Sequence, residues 1–324
     1  MSRTERTIPE RVSRTTSLPG PVRRSLEVCR EVTRTRAGSF YLALRLTPEP
    51  RRSAMYALYA WSRLADDIAD ETPGEAAILK GLEGLARDTR AAFNNVPAGD
   101  DTTLWPGVCW AFRDFGIKPR WCEDLIEGMR REAAGVALAT MEQFDEYCYR
   151  VAGTVGLMCV SVWGVRPGVR GEAWIEPAKA RGRALQTINV LRDFAPDFDR
   201  SPRRVYVPAE VLGKCGLVAE GLREWRDDVR CRAVVAELVA HARRNLEASA
   251  VLADMIDPAC FGVLDGMTRV YEGLLRRIEA KPRAIVGEAP VRLSTAAKSL
   301  IACGAYLRGW RARLGGAAPK ASGA

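Results

Sequence analysis

Two groups of polar residues have the spacing of a binding site for a hard metal cation. Asp66 and Asp70 stand four residues apart at the end of a strongly apolar stretch, so they would share one face of a helix. Asn189, Asp193 and Asp197 repeat this spacing twice in a second apolar stretch. Oxygen ligands from facing helices, without His or Cys, favour Mg²⁺, for which Mn²⁺ could substitute.

The same pattern indicates a diphosphate ligand. Mg²⁺ usually takes one or two carboxylates and completes its coordination with water and phosphate oxygens. Arg63 lies one turn before Asp66, and Arg192 is next to Asp193, where each would neutralise a leaving diphosphate. With 40 Asp and Glu residues, about one Asp-x-x-x-Asp pair is expected by chance on a solvated helix face. Two such groups, each in an apolar stretch beside an arginine, favour the metal interpretation.

Histidine and cysteine chemistry is disfavoured. The single histidine, His241, is next to two arginines and is predicted at the surface, which argues against a His-based metal site or a Ser-His-Asp triad. The nine cysteines are scattered among apolar neighbours, which is typical of reduced core residues in a cytoplasmic protein.

Composition indicates a globular protein with an anionic partner. The chain has 324 residues, of which 47% are hydrophobic and 27% charged, and its formal net charge is +9. Such a charge suits a nucleic acid, a phosphorylated substrate or an acidic membrane surface, but also an arginine-rich solvated surface. No stretch has the pattern of a membrane span or a signal peptide, so we expect a cytoplasmic protein, at most peripheral at the inner membrane face.

Helical periodicity runs through nearly the whole sequence and predicts one all-α domain over residues 22–314. Residues 1–21 are predicted to be a disordered basic arm, and residues 315–324 a disordered tail. The predicted helices span residues 22–36, 51–70, 74–93, 102–115, 119–134, 141–164, 168–195, 219–255, 260–280 and 293–314.

Several sequence blocks, taken in order, resemble the squalene and phytoene synthases. The blocks are Ser39-Phe40-Tyr41, Leu46-Thr47-Pro48, residues 59–71 (YAWSRLADDIADE), residues 124–129 (DLIEGM), residues 147–156 (YCYRVAGTVG), residues 186–193 (QTINVLRD) and residues 204–208 (RVYVP). The resemblance covers roughly residues 36–206 and continues more weakly to about residue 314. It implies a helical bundle around a deep central pocket, with the two acidic motifs facing each other at its mouth.

The resemblance also implies roles for individual residues. The Mg²⁺ ligands would be Asp66, Asp70, Asn189, Asp193 and Asp197. The diphosphate and the rest of the substrate would be bound by Ser39, Phe40, Tyr59, Arg63, Asp67, Gln186, Arg192 and Arg204. Tyr147 would line the substrate site and is a candidate catalytic residue together with the four aspartates. The small residues Ala152, Gly153 and Gly156 would let a prenyl tail pass close to the backbone, although tight helix packing explains them as well.

Pro196 departs from the family pattern, which usually has an acidic residue before the last aspartate of the second motif. Proline inside a helix removes a hydrogen bond and clashes with the preceding turn. We therefore expect no regular helical turn between Asp193 and Asp197, and a less secure ligand role for Asp197.

By this resemblance the protein is expected to join two allylic prenyl diphosphates head to head through a cyclopropylcarbinyl diphosphate. Farnesyl diphosphate is the favoured substrate, leading to presqualene diphosphate, hydroxysqualene or another squalene-type C30 product; the alternative is a phytoene synthase that uses geranylgeranyl diphosphate. No strand followed by a glycine-rich turn supports NADPH binding. Two interpretations from other classes are a non-catalytic relative and a basic helical protein that binds nucleic acid, although acidic stripes do not suit the latter.

Overall fold

The computed structural model describes residues 18–94, 104–135 and 137–315, and within these ranges it is built from helices without any β-strand. An isolated bridge pairs Val165 with Ile256. The predicted all-α fold is confirmed. The helices are α1 (Gly20–Arg36), α2 (Ser39–Leu44), α3 (Arg51–Glu71), α4 (Glu75–Phe93), α5 (Trp105–Asp114), α6 (Pro119–Ala133), α7 (Met141–Cys148), α8 (Thr154–Trp163), α9 (Ile175–Arg192), α10 (Phe194–Asp199), α11 (Ala209–Lys214), α12 (Ala219–Arg223), α13 (Asp228–Ala248), α14 (Leu252–Met255), α15 (Phe261–Ala280) and α16 (Thr295–Gly315), with a π-helical turn at Tyr149–Gly153 and 3₁₀ turns at Pro258–Cys260 and Pro282–Val286.

Two apolar cores meet along α9. The first lies among α1, α3, α5, α6 and α8, where Trp61 and Phe112 are fully buried and pack edge to face. The second lies among α7, α9, α13 and α15. Leu185 of α9 packs against both cores, so α9 runs through the middle of the molecule.

Glycine allows α9 to approach the segment before it very closely. A Cβ atom added to Gly156 would lie 2.6 Å from the carbonyl oxygen of Ala178, and one added to Gly182 would overlap the backbone of Ala152. The preceding π-helical turn contributes Ala152 to this contact. Because a π turn inside an α-helix re-aims side chains, such turns often occur beside functional sites.

Several predicted helices are shorter or divided in the structure. The predicted helix over residues 219–255 is three helices, α12 to α14, and the one over residues 168–195 is only α9 with part of α10. The short helix α2 was not predicted. Helix α1 begins at Gly20 and Leu18 is buried, so ordered structure starts inside the predicted 1–21 arm. The rest of that arm (residues 1–17), the start of the predicted 102–115 helix and tail residues 316–324 lie outside the described residues.

The prediction of a surface position for His241 is wrong. Its ring is 5% exposed, lies edge-on to Phe144, and is hydrogen-bonded to Thr187 (3.0 Å) and Asp145 (2.8 Å). His241 therefore ties α13 to α7 and α9. All nine cysteines are free, and six of them are buried, in agreement with the prediction of reduced thiols.

Candidate active site

A deep cavity of about 480 Å³ opens between α2, α3, α8, α9 and α15. Its lining along α9 runs from Arg192 to Ala178, which corresponds to about 21 Å of helix. Polar groups gather at the Arg192 end. Most of the remaining wall is apolar, formed by residues such as Leu58, Met129, Val155, Leu185 and Met267.

The first acidic motif divides its side chains between two directions. Asp66 lines the cavity. Asp70 accepts hydrogen bonds from Arg204 (2.9 Å) and Arg200 (3.2 Å). By contrast, Asp67 forms ion pairs with Arg36 (2.8 Å) and Arg63.

Arg63 and Asp67, both predicted to bind substrate, do not line the cavity. Glu71 also pairs with Arg36 (2.7 Å) and Arg63 (3.3 Å), so these four side chains form one ion-pair network beside the site. The charge of Arg63 still acts on the cavity, because it opposes the rise in the pKa of Asp66.

The second motif lies where α9 ends and α10 begins. Asn189 and Arg192 line the cavity. Arg192 forms a bidentate pair with Asp193, with an Nε–Oδ1 distance of 2.8 Å. Both Asn189 and Arg192 also interact with the hydroxyl of Tyr271.

The expectation that Pro196 prevents a regular helical turn between Asp193 and Asp197 is wrong. The amide of Asp197 donates to the carbonyl of Asp193 (3.0 Å), so a regular helical turn does join these two residues. The helix breaks earlier, at Asp193, because the ring of Pro196 would clash with the carbonyl of Arg192 four residues before it. Pro196 itself falls in the first turn of α10, where a backbone donor has no partner within the helix.

Glu132 of α6 links the two acidic motifs, and sequence reasoning missed it. Its carboxylate accepts from Arg204 (2.5 Å) and from the hydroxyl of Tyr206 (2.6 Å). Arg204 also bonds Asp70, so it joins α3 to α6. The negative charge of Glu132 raises the pKa of both Asp66 and Asp197. The middle block of residues 124–129 ends three residues before Glu132, but a lone glutamate gives no signal of its own.

Burial and mutual repulsion leave two carboxylates weakly acidic. Burial, followed by the charges of Asp70 and Glu132, raises the pKa of Asp66 to about 7. Burial, followed by the charges of Asp193 and Glu132, raises the pKa of Asp197 to about 6. A cation bound at this end of the cavity would relieve the repulsion, so the electrostatics suit a metal ion.

The donor set also fits a divalent metal. The Oδ1 atom of Asn189 is buried without a hydrogen-bond partner, which leaves an acceptor free for a cation. Within the ranges that the structure describes, no three or more His, Cys, Asp or Glu side chains converge closely enough to hold a metal alone. Each ion would therefore need further oxygen ligands, as Mg²⁺ takes from water and phosphate.

The remaining predicted substrate residues are placed as follows. Phe40, Tyr59 and Gln186 line the cavity. Tyr147 does not; its hydroxyl accepts from Gln186 (3.3 Å), and its ring stacks on Tyr206 at 5.0 Å. Ser39 is the first residue of α2, and its side chain is not among the described ones.

The small residues that follow Tyr147 lie at the cavity and in a helix contact, while the passage of a prenyl tail along them stays a prediction. Ala152 and Gly156 line the cavity, and Gly156 also permits the close contact between α8 and α9.

The chain is similar to known proteins over most of its length. The family model described as squalene/phytoene synthase matches residues 33–297. The chain is 32% identical over 265 residues to the presqualene diphosphate synthase of Rhodopseudomonas palustris, covering 81% of this chain and 91% of that one. It is 32% identical over 234 residues to the 15-cis-phytoene synthase of Synechocystis, covering 70% and 68%. A crystal structure of a dehydrosqualene synthase with ligand superposes with a TM-score of 0.77 at 26% identity, covering 88% of this chain and 96% of that one.

Fold, cavity and relatives together define an all-α prenyltransferase. The chain belongs to the squalene/phytoene synthase family, whose members join two prenyl diphosphates head to head and generally use a divalent metal. None of the helices in residues 18–94, 104–135 and 137–315 combines the length and apolar character needed to cross a membrane.

Proposed function

We propose that this enzyme condenses two molecules of farnesyl diphosphate to presqualene diphosphate, as the first step towards a C30 product. The observation that carries the proposal is the union, in one cavity, of a long apolar wall with Asp66, Asn189 and Arg192 from two separate helices at one end. Such a cavity accommodates an apolar chain with a diphosphate head. The presqualene diphosphate synthase also matches a larger share of this chain than the phytoene synthase does.

The residues act by binding, orienting and shielding. Bound Mg²⁺, held by Asp66, Asp70, Asn189, Asp193 and Asp197, would supply Lewis-acid stabilisation of the diphosphate. Arg192 and Arg204 neutralise the diphosphate as its C–O bond breaks and it leaves with the electron pair. The double bond of the second chain attacks the allylic cation, and loss of one proton, which the released diphosphate accepts, closes the cyclopropane. Phe40 and Tyr59 line the cavity, where their aromatic rings would stabilise the cation, and the apolar wall excludes water.

Incubation with prenyl diphosphates and Mg²⁺, followed by mass spectrometry of the lipid extract, tests this function. We expect C15 substrate to be consumed with release of one diphosphate per product, and a chelator to stop turnover because the site lacks a complete ligand set of its own. Equal turnover in excess chelator would exclude the metal role. Formation of a C40 product only would favour the phytoene alternative, and turnover of neither substrate would favour a non-catalytic relative.

A buried arginine in the cavity supports the shorter substrate. Arg181 is 9% exposed and donates to Ser249 Oγ (2.8 Å), to the carbonyl of Ser249 (3.2 Å) and to the hydroxyl of Thr268. Burial lowers its pKa to about 10, so it remains charged at neutral pH. It lies eight residues, or about 12 Å, along α9 from Asn189. A prenyl chain that continued past this point would meet a charged group, which disfavours hydrocarbon burial there.

Replacing this arginine is expected to lengthen the accepted chain. In Arg181→Leu, kcat/KM for geranylgeranyl diphosphate relative to farnesyl diphosphate should rise about tenfold, which corresponds to about 1.4 kcal/mol. The hydroxyls of Ser249 and Thr268 keep their bonds to backbone carbonyls, so no buried group loses its only partner. Met267→Leu, a volume-conserving change in the same lining, is the control. An unchanged ratio in Arg181→Leu would remove Arg181 from the specificity argument.

Membrane association and a cytoplasmic location are part of the same proposal. The substrates and products are lipids, and the chain carries a net charge of +9 that would attract it to anionic head groups.

A further inference from the structure

Helix α16 carries an apolar stripe that faces solvent. Leu300, Leu307 and Leu314 recur every seven residues and are 75%, 54% and 69% exposed. Trp310 (53% exposed) lies on the same face, and Tyr306 (60%) lies beside it. Isolated exposed apolar residues are common on proteins, but five large ones on a single helix form a patch that calls for a partner.

The opposite face of α16 holds the helix in the fold. Ala305, Gly309 and Ala312 are buried. The first two pack against α15, where a Cβ added to Gly309 would lie 2.9 Å from the Cα of Gly262. Arg308 pairs with Asp265 of α15 (2.6 Å). The stripe therefore belongs to a firmly packed helix and cannot turn inward.

The surroundings of the stripe are basic. Helix α16 contains Lys298, Arg308, Arg311 and Arg313 but no Asp or Glu. Arg313 donates to the carbonyl of Leu46 (3.1 Å), so α16 meets the end of α2. Helix α2 presents Leu42, 51% exposed, to solvent.

The other side of α2 borders a basic pocket. A second cavity of about 570 Å³ between α1, α2 and α3 is lined by Arg23, Arg30, Arg45 and Arg52 among others. In the part of the chain that the structure describes, Arg52 pairs with Glu49, whereas Arg23, Arg30 and Arg45 form no ion pair with a carboxylate. The lining also includes Glu27 and Glu49, so four guanidinium groups outnumber two carboxylates and the pocket next to the apolar patch is basic.

We infer that α16, α2 and this basic pocket form the surface by which the enzyme docks on an anionic lipid bilayer. The side chains of the stripe would enter the interface, with Trp310 and Tyr306 at head-group depth, while Arg23, Arg30 and Arg45 contact lipid phosphates. A second copy of the chain fits less well, because an isologous contact along α16 would bring the same basic residues together. This inference rests on the proposed function, in which the substrates are lipids.

The position of the surface agrees with the passage of lipids. Helix α2 contributes Phe40 and Leu44 to the active-site cavity and Leu42 to the exterior. Helix α15, which supports α16, contributes Leu264, Met267 and Tyr271 to the same cavity. The docking surface therefore lies one helix layer from the prenyl site.

Vesicle flotation tests the inference. The protein should float with phosphatidylglycerol-containing vesicles and only weakly with pure phosphatidylcholine, and Leu307→Gln/Trp310→Gln should reduce the bound fraction at least tenfold. The matched control is Val218→Gln/Val229→Gln, which changes two exposed valines elsewhere (61% and 77%) and should bind like the parent. Arg23→Gln/Arg45→Gln should lose the preference for anionic lipid.

Two results would overturn the inference. The first is vesicle binding by the α16 variant equal to that of the parent. The second is a parental dimer in sedimentation that the α16 variant converts to monomer, which would assign the stripe to a second copy. Turnover of detergent-dispersed farnesyl diphosphate should be the same in parent and α16 variant. A parent that turns over but does not float refutes the docking surface alone, whereas one that floats without turnover refutes the proposed activity.

Discussion

Asp66→Asn is expected to abolish turnover and at the same time to stabilise the metal-free protein. Asp66 is the aspartate of the first motif that lines the cavity, and the substitution removes its charge with little change of shape. The carboxylate lies near Asp70 and Glu132, which raise its pKa together with burial. Removing one of these crowded charges eliminates an unfavourable interaction in the absence of metal.

The stabilisation should depend on pH in a defined direction. The pKa of Asp66 is about 7 in the folded protein against an ordinary value of 3.8, so the folded state holds its proton more tightly than the unfolded state. The parent therefore loses stability as the pH rises from about 4 to about 7, and a neutral amide at this position cannot contribute to this loss. We expect Asp66→Asn to be about 1–3 kcal/mol more stable than the parent at pH 8 and equal to it near pH 4.

Thermal unfolding in chelator at several pH values measures this effect, and product formation with Mg²⁺ measures the loss of activity. Asp88→Asn, in which the replaced carboxylate pairs with the exposed Arg87, is the control and should change neither quantity greatly. Near-parental turnover by Asp66→Asn would remove the residue from the metal site. A destabilised variant at pH 8 would show that the carboxylate is not repelled by its neighbours.

Local spacing was sufficient to predict the all-α fold and most of its long helices, but not the short helix α2 or the division of residues 219–255. The i, i+4 relation of Asp66 and Asp70 depends only on helix geometry, and the two residues do lie on one long helix. The break at Asp193 follows from an equally local rule, the clash of a proline ring with the carbonyl four residues earlier; the rule was applied at the wrong end of the motif.

Contacts between distant parts of the chain could not be predicted in this way. Glu132 becomes part of the site only because α6 brings it to Arg204 and Tyr206. The local sequence around Arg181 gives no sign that this arginine is buried. It is buried because Ser249 and Thr268, 68 and 87 residues away, supply its acceptors. His241 was misplaced for the same reason, since Asp145 and Thr187 come from two other helices.

Arg204→Gln is expected to abolish turnover as well, but with the opposite effect on stability. Arg204 bonds Asp70, Glu132 and the carbonyl of Ala69, and its side chain is only 16% exposed. Its removal would take one positive charge away from the end of the cavity where the diphosphate is proposed to bind. It would also leave the carboxylate of Glu132, 15% exposed, with Tyr206 as its remaining partner. Breaking such a pair on one side costs about 1–3 kcal/mol.

A second substitution separates these two effects. In Arg204→Gln/Glu132→Gln the stranded charge is gone, so we expect the free energy of unfolding to return close to the parental value while turnover stays at least a hundredfold lower. Arg203→Gln is the neighbouring control, because Arg203 pairs with Glu220 at the surface, where an ion pair contributes little. If the double variant recovered activity along with stability, Arg204 would serve only to neutralise Glu132. If it recovered neither, the loss of stability would come from the broken bond between Arg204 and Asp70. Binding of the diphosphate substrate, measured separately, would then decide whether Arg204 contacts the diphosphate.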